Sequence, residues 1–312
     1  MNIAQAKIYC IGETVFDIIF DNFNPIAANA GGSAFNSAVS IARSGLSVCF
    51  ISEIGHDMIG DHIINFFEEN HVSSEFIYRF KDGQTPLAVA LLDKNRNAKY
   101  QFYKNYPENR FLTKNPKFHA CDYLLFGSYF ALNRELRGKL IEILELARRA
   151  GTTIIYDPNF RKPHGKELPE LLPFILENIE FADLVRGSAD DFKLIFNTTE
   201  IIEIYQKCHE KPLIMTDEAN DVQFINNGKI LSVEQSSINV ISTIGAGDSF
   251  NAGIIYYLVK ENLNKFDFQE LTEEKWKKII KSGIRFAQNT CGSLENYVDK
   301  DFLVPKQELV NK

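Results

Sequence analysis

From about residue 120 onward, short apolar runs at 123–126, 153–156, 184–185 and 213–215 alternate with longer amphipathic stretches such as 134–150. The short runs read as strands buried on both faces and the longer stretches as helices. Alternation of this kind predicts a parallel sheet covered by helices. The N-terminal part repeats the theme: residues 7–11 and 48–52 read as buried strands, and 33–43 and 57–69 as helices flanking the second of them.

The pattern breaks at 15–20, 86–92 and 99–104, which have strand character without intervening helices. The last two look like a hairpin around residues 93–97. Together they predict a small separate sheet that projects from the parallel core and covers a site at the carboxyl ends of its strands, where open α/β folds bind ligands. The expected lid comprises about 13–30 and 84–112.

Composition narrows the class. With 312 residues, 45% of them hydrophobic and 24% charged, the chain can bury a large core, which argues against disorder. No Pro/Ser/Gly-rich stretch or long charge run divides it, so residues 1–312 read as one large domain with a small appendage. A formal charge of −7 without a basic patch argues against nucleic acid and anionic membranes as partners. The N-terminus lacks the apolar core of a signal peptide, and no run of about 18 apolar residues follows, so a cytoplasmic protein is expected. Five widely spaced cysteines and six histidines show no disulfide or zinc-ligand spacing. Reduced, mostly buried thiols are the expectation.

Two stretches carry chemistry. In Ser242-Thr243-Ile244-Gly245-Ala246-Gly247-Asp248-Ser249-Phe250-Asn251-Ala252-Gly253, a strand-like segment passes through small residues into an apolar helix. Bare backbone amides at a helix N-terminus suit an anion such as a transferring phosphoryl group. A carboxylate there cannot attract phosphate, so Asp248 suggests a base that accepts the proton of an attacking alcohol. Asp also commonly caps helices, and taken alone Asp248 fits that role too. No G-x-x-x-x-G-K-[ST] occurs, and Phe250 stands where a dinucleotide fingerprint places its third glycine. The second stretch, Ala30-Gly31-Gly32-Ser33-Ala34-Phe35-Asn36-Ser37-Ala38, places two glycines before a helix and Asn36 on its first turn. It reads either as a sugar-hydroxyl site or as a plain glycine turn.

In this order and separation the two stretches resemble the signatures of the PfkB (ribokinase-like) carbohydrate kinases. The resemblance extends through Gly12-Glu13, Asp17, Glu53-Ile54-Gly55-His56-Asp57-Met58-Ile59-Gly60 and Tyr156-Asp157-Pro158-Asn159-Phe160-Arg161, the last similar to fructokinases and 2-keto-3-deoxygluconate kinases. It implies a ribokinase-like α/β fold with a small β-sheet lid, and ATP with Mg2+ as cofactors. It further implies that Asp17, Gly32, Asn36 and Asn159 bind substrate, that Gly245, Ala246 and Gly247 form the anion hole, and that Asp248 is the base. By the same resemblance Arg161 neutralises charge near the transferred phosphate, Ser188, Thr216 and Asn289 bind nucleotide, and Asp191 acts on the metal through water.

Three departures stand out. Ser242 replaces an Asp that in this family often helps hold a monovalent cation, so the resemblance does not carry potassium activation. Ser188-Ala189-Asp190-Asp191 replaces N-x-x-E, with a carboxylate one methylene shorter. Thr216-Asp217-Glu218-Ala219-Asn220-Asp221 replaces the T-x-G-x-x-G nucleotide loop, exchanging two glycines for other residues and adding acidic groups that would weaken phosphate binding unless turned away. The leading expectation is a fructose or related ketose kinase. Alternatives are a 2-keto-3-deoxygluconate kinase, for whose acid group Arg96, Lys99 and Lys104 are candidate cations, and a ribose or nucleoside kinase. A sugar-binding regulatory protein without turnover and a purely structural protein are readings of other classes. A homodimer through lid strands such as 86–92 is expected, because exposed sheet edges and apolar faces need covering.

Overall fold

The computed structural model describes residues 6–21, 23–92, 98–111, 113–217 and 220–303. The chain opens with β1 (Ile8–Ile11), β2 (Val15–Asp21), β3 (Asn24–Gly31), α1 (Ser33–Arg43), β4 (Val48–Gly55) and α2 (Met58–Glu69). It continues through β5 (Val72–Phe80), β6 (Gln84–Leu92), β7 (Ala98–Asn105), β8 (Tyr123–Gly127), α3 (Arg137–Ala150), β9 (Thr153–Asp157), α4 (Leu168–Phe181), β10 (Leu184–Ser188), α5 (Ala189–Phe196) and α6 (Ile201–Lys207). It closes with β11 (Leu213–Thr216), β12 (Val222–Asn226), β13 (Lys229–Val233), α7 (Ala246–Lys260) and α8 (Glu273–Cys291).

Among the described residues a nine-stranded sheet runs in the order β13-β12-β11-β10-β9-β8-β1-β4-β5. From β11 to β5 all neighbours are parallel, while β12 and β13 add an antiparallel edge. Both faces are covered. Successive residues of β1 therefore enter opposite cores: Ile8 and Cys10 pack with residues of α1, α2, α7 and α8, and Tyr9 and Ile11 with residues of α3, α4, α5 and α6. A strand buried on both sides must be apolar at every position, which is why β1 reads as a continuous run. In the described residues no helix is long and apolar enough to cross a membrane. Cys10, Cys49, Cys208 and Cys291 are buried thiols, as anticipated.

Parallel strands end on one edge, and both excursions of the chain leave from it. β2 and β3 lie between β1 and α1, and β6 and β7 between β5 and β8; these four strands form a second sheet in the order β3-β2-β6-β7. The hairpin expected from 86–92 and 99–104 is present as the antiparallel β6–β7 pair. Its turn at 93–97, with Arg96, lies outside the described residues, as does Glu218.

The structure corrects several boundaries. The stretch taken as a helix from 134 begins at Arg137. The strand read as ending at Val185 runs on to Ser188 through a buried Arg186, a residue that ordinarily signals the end of an apolar run. β5, with its weak alternation, and the β12–β13 hairpin were not anticipated. That hairpin has a two-residue Asn227-Gly228 turn with φ of 50° and 69°, the combination that favours a type I′ turn. The segment leading into α7 is not a strand. Among the described residues no strand pairs with it, and Ile238, Val240, Ile241 and Ile244 are exposed.

Candidate active site

The carboxyl edge of the large sheet collects the chemistry. Gly245 caps α7 with φ 79°, and a side chain there would run into the Asn296 carbonyl, so only glycine fits. Ala246, Gly247 and Asp248 form the first turn, whose amides have no preceding turn to receive them; only Ala246 N–H turns back, to the Thr243 carbonyl. The alternative role of Asp248 as a helix cap is not realised, since no side chain caps α7.

The Asp248 carboxylate points instead at α1. Ser33 Oγ donates to Oδ1 at 2.6 Å and Asn36 Nδ2 to Oδ2 at 2.8 Å, while Ser37 Oγ donates to the Asp248 carbonyl at 3.0 Å. Ser40 continues the same helical stripe by meeting Ser249 Oγ at 3.1 Å, which in turn accepts from Thr290 at 2.7 Å. A ladder of small polar side chains thus joins α1 to α7 and aims the carboxylate. Burial pushes the Asp248 carboxyl up to about 6; the bonds from Ser33 and Asn36 act against this, the charge of Asp157 adds to it, and that of Arg161 opposes it.

Gly32 begins α1 with φ 137°, and a Cβ there would meet the Glu13 carbonyl. Asp17 projects from β2 beside Gly31, and burial raises its carboxyl to about 6. Asn159 takes the left-handed conformation, φ 38°, immediately after β9, and its N–H donates to Asp157 Oδ1 at 3.0 Å. Arg161 is exposed two residues further on.

The predicted nucleotide residues are placed as follows. Ser188 caps α5 in a reciprocal box with Asp191, whose Oδ2 accepts both the Ser188 amide (2.7 Å) and hydroxyl (2.6 Å). Thr216 ends β11 and accepts from Arg186 at 2.7 Å. Asn289 lies on α8 and exchanges two bonds with Asp299, one in each direction, both 2.8 Å. In the altered loop, Asp217 accepts from Asn220 Nδ2 and Asp221 from Ser232, so both carboxylates are occupied by nearby polar groups. Ser242 Oγ accepts the Ile244 amide, and Lys104 forms an ion pair with Glu13.

Ser33, Ser37, Arg186 and Asn251 escaped the sequence reading. Asn251 Nδ2 and Arg186 both donate to Asp157 Oδ2, at 2.6 and 2.9 Å, tying β9, β10 and α7 together. The available signals were polar residues at three- and four-residue spacing on an otherwise small, apolar helix, and a lone Arg within a buried strand.

A doubly covered parallel sheet, a second small sheet at its carboxyl edge and a buried carboxylate on an amide-rich helix start define a small-molecule kinase. Residues 5–297 match the family described as pfkB family carbohydrate kinase, and the chain belongs to that family. It is similar to the fructokinase of Vibrio alginolyticus, 23% identical with 92% of each chain covered. Among solved structures it resembles the fructokinase of Vibrio cholerae with fructose, ADP and calcium ion bound (TM-score 0.81, 20% identity, 94% of each chain). It also resembles the aminoimidazole riboside kinase of Salmonella enterica with aminoimidazole riboside and an ATP analog (TM-score 0.76, 20% identity, 93% and 95% covered).

Proposed function

We propose that this sugar kinase transfers the γ-phosphoryl group of ATP to a hydroxyl of a ketose, with fructose the leading substrate and Asp248 the base. The observation that carries this reading is the Asp248 carboxylate held by Ser33 and Asn36 on the first turn of α7. In the reaction, Asp248 accepts the hydroxyl proton as the oxygen attacks phosphorus. The amides of Gly245, Ala246 and Gly247 receive the charge of the transferring group, and Arg161, exposed at the surface, adds a cation. Asp17, Gly32, Asn36 and Asn159 hold the sugar, and the small sheet, about 13–30 and 84–112, acts as its lid.

Ser188, Thr216 and Asn289 hold the nucleotide, and the exposed apolar side chains of Ile241, Ile244 and Leu294 offer a surface for its base. The described residues hold no cluster of three or more His, Cys, Asp or Glu suited to a metal. Mg2+ would arrive with the nucleotide, and Asp191 would act on it through water. It supplies charge neutralisation on the phosphates. Ser242, a hydroxyl already used locally, offers no carboxylate for potassium. A cytoplasmic location and a homodimer through the small sheet, which exposes Phe23, Ile26, Leu91 and Tyr103, complete the reading.

The test is ADP release from Mg-ATP with fructose, tagatose, ribose, adenosine and 2-keto-3-deoxygluconate, with and without potassium. Saturable turnover on a ketose supports the assignment, and preferential turnover on another compound replaces the substrate. Sugar binding by calorimetry without turnover on any compound would make the protein a sensor.

A further inference from the structure

Arg186 is a buried cation that the reaction just described does not use. It sits mid-strand on β10, between β9 and β11, 7% exposed, with one guanidinium nitrogen on Asp157 and the other on Thr216. Its charged face lies 5.2 Å from the Phe250 ring centroid, on the helix that carries Asp248. Its Nε is buried and finds no hydrogen-bond partner among the described residues. Burying a guanidinium with an unmet donor is costly, and a strand interior has no packing need for it.

The first turn of α7 rests on this group. A Cβ built on Gly247 would stand 2.9 Å from one terminal nitrogen of Arg186 and 3.2 Å from the other. Gly247 does not have the positive φ that would itself demand glycine, so what excludes a side chain is the guanidinium beneath it. Through Asp157 the same cation reaches Asn251, three residues beyond Asp248 on the same helix.

We infer that Arg186 is a positioning residue: its guanidinium seats the first turn of α7 against the ends of β9 and β11, fixing where the anion hole and Asp248 stand relative to the sugar. The inference rests on the kinase reading above. Arg186 acts through Gly247, Asp157 and Thr216; of the sugar-holding residues, Asp17, Gly32 and Asn36 are not among its partners, and Asn159 is linked to it only through a backbone N–H on the other oxygen of Asp157. Its loss therefore falls on the chemical step rather than on sugar binding.

The experiment is steady-state kinetics of the full chain on its best sugar, with thermal melts as a folding control. Arg186→Met is expected to lower kcat about 100-fold while the sugar KM stays within about twofold, because misplacement by an ångström costs roughly that much. Arg186→Lys, which keeps the charge, is expected to recover at least about tenfold of the loss. Gly247→Ala, which adds a good helix former and should fold, is expected to lower kcat comparably. Pairing it with Arg186→Lys, whose slimmer head leaves room, should restore part of the rate. Unchanged kcat in Arg186→Met, a rise in sugar KM with kcat preserved, or no restoration in the double variant would each overturn the inference while leaving the kinase assignment intact. Absence of turnover in the wild type would overturn both.

Discussion

Asp248 serves chemistry at the expense of stability. Its carboxyl is raised to about 6, mainly by burial, so the native state holds its proton over a range in which the unfolded chain has already released it. A raised carboxyl contributes stability that is complete below the unfolded value near 3.8 and is lost as pH rises through about 6. Asp248→Asn removes that loss, and melts should show the variant more stable than wild type at pH 8 by on the order of 2 kcal/mol but not at pH 4. An equal difference at both pH values would exclude this origin. The same substitution should reduce kcat about 1000-fold while sugar binding survives, since Asn cannot accept the proton. In the wild type, kcat/KM should fall as pH drops below about 6, when the base becomes protonated. A flat profile from pH 5 to 8 would assign proton acceptance elsewhere.

The start of α2 shows how one side chain joins two elements. Asp57 caps this helix through Gly60 N–H and also accepts both the amide and the hydroxyl of Thr85 at the root of β6. Burial alone would raise its carboxyl, but these bonds outweigh burial and hold it below the usual carboxylate range. The contribution is therefore present above the unfolded value and lost as pH falls through the native one. Asp57→Ala removes a cap and leaves two Thr85 donors unmet, so urea unfolding at pH 7 should show a loss of about 2 kcal/mol. The loss should shrink toward pH 3. This turn lies in the stretch that resembles the family and ties the start of α2 and the end of β4 to β6 of the small sheet, which gives Gly55 and Asp57 a structural role.

At the scale of the whole molecule, the small sheet and its turn carry exposed apolar side chains. Tyr103 is 58% exposed and Phe23 84%, and apolar residues on a projecting sheet invite a second copy. Sedimentation should find a dimer at micromolar concentration, and Tyr103→Arg should shift it toward monomer while the large sheet stays folded. A wild-type monomer at every concentration tested would remove the homodimer from the proposed assembly.

The sequence by itself determined the alternation of buried strands and helices, the β6–β7 hairpin and the two glycine stretches, because strand burial and helix periodicity are written in local spacing. It also singled out Asp248 and Asn36, although not that they bond to each other. Local reading ended β10 at Val185, before Arg186, since a cation normally closes an apolar run, and it took the start of the 242–253 stretch for strand-like. Only the tertiary structure decided those cases. Whether a cation can be buried, or an apolar segment left exposed, depends on partners more than 25 positions away: Asp157 and Thr216 for Arg186, and the Cys291 carbonyl for Ile241. Asp248 finds Ser33 and Asn36 across more than 200 residues, a distance that no local spacing can encode.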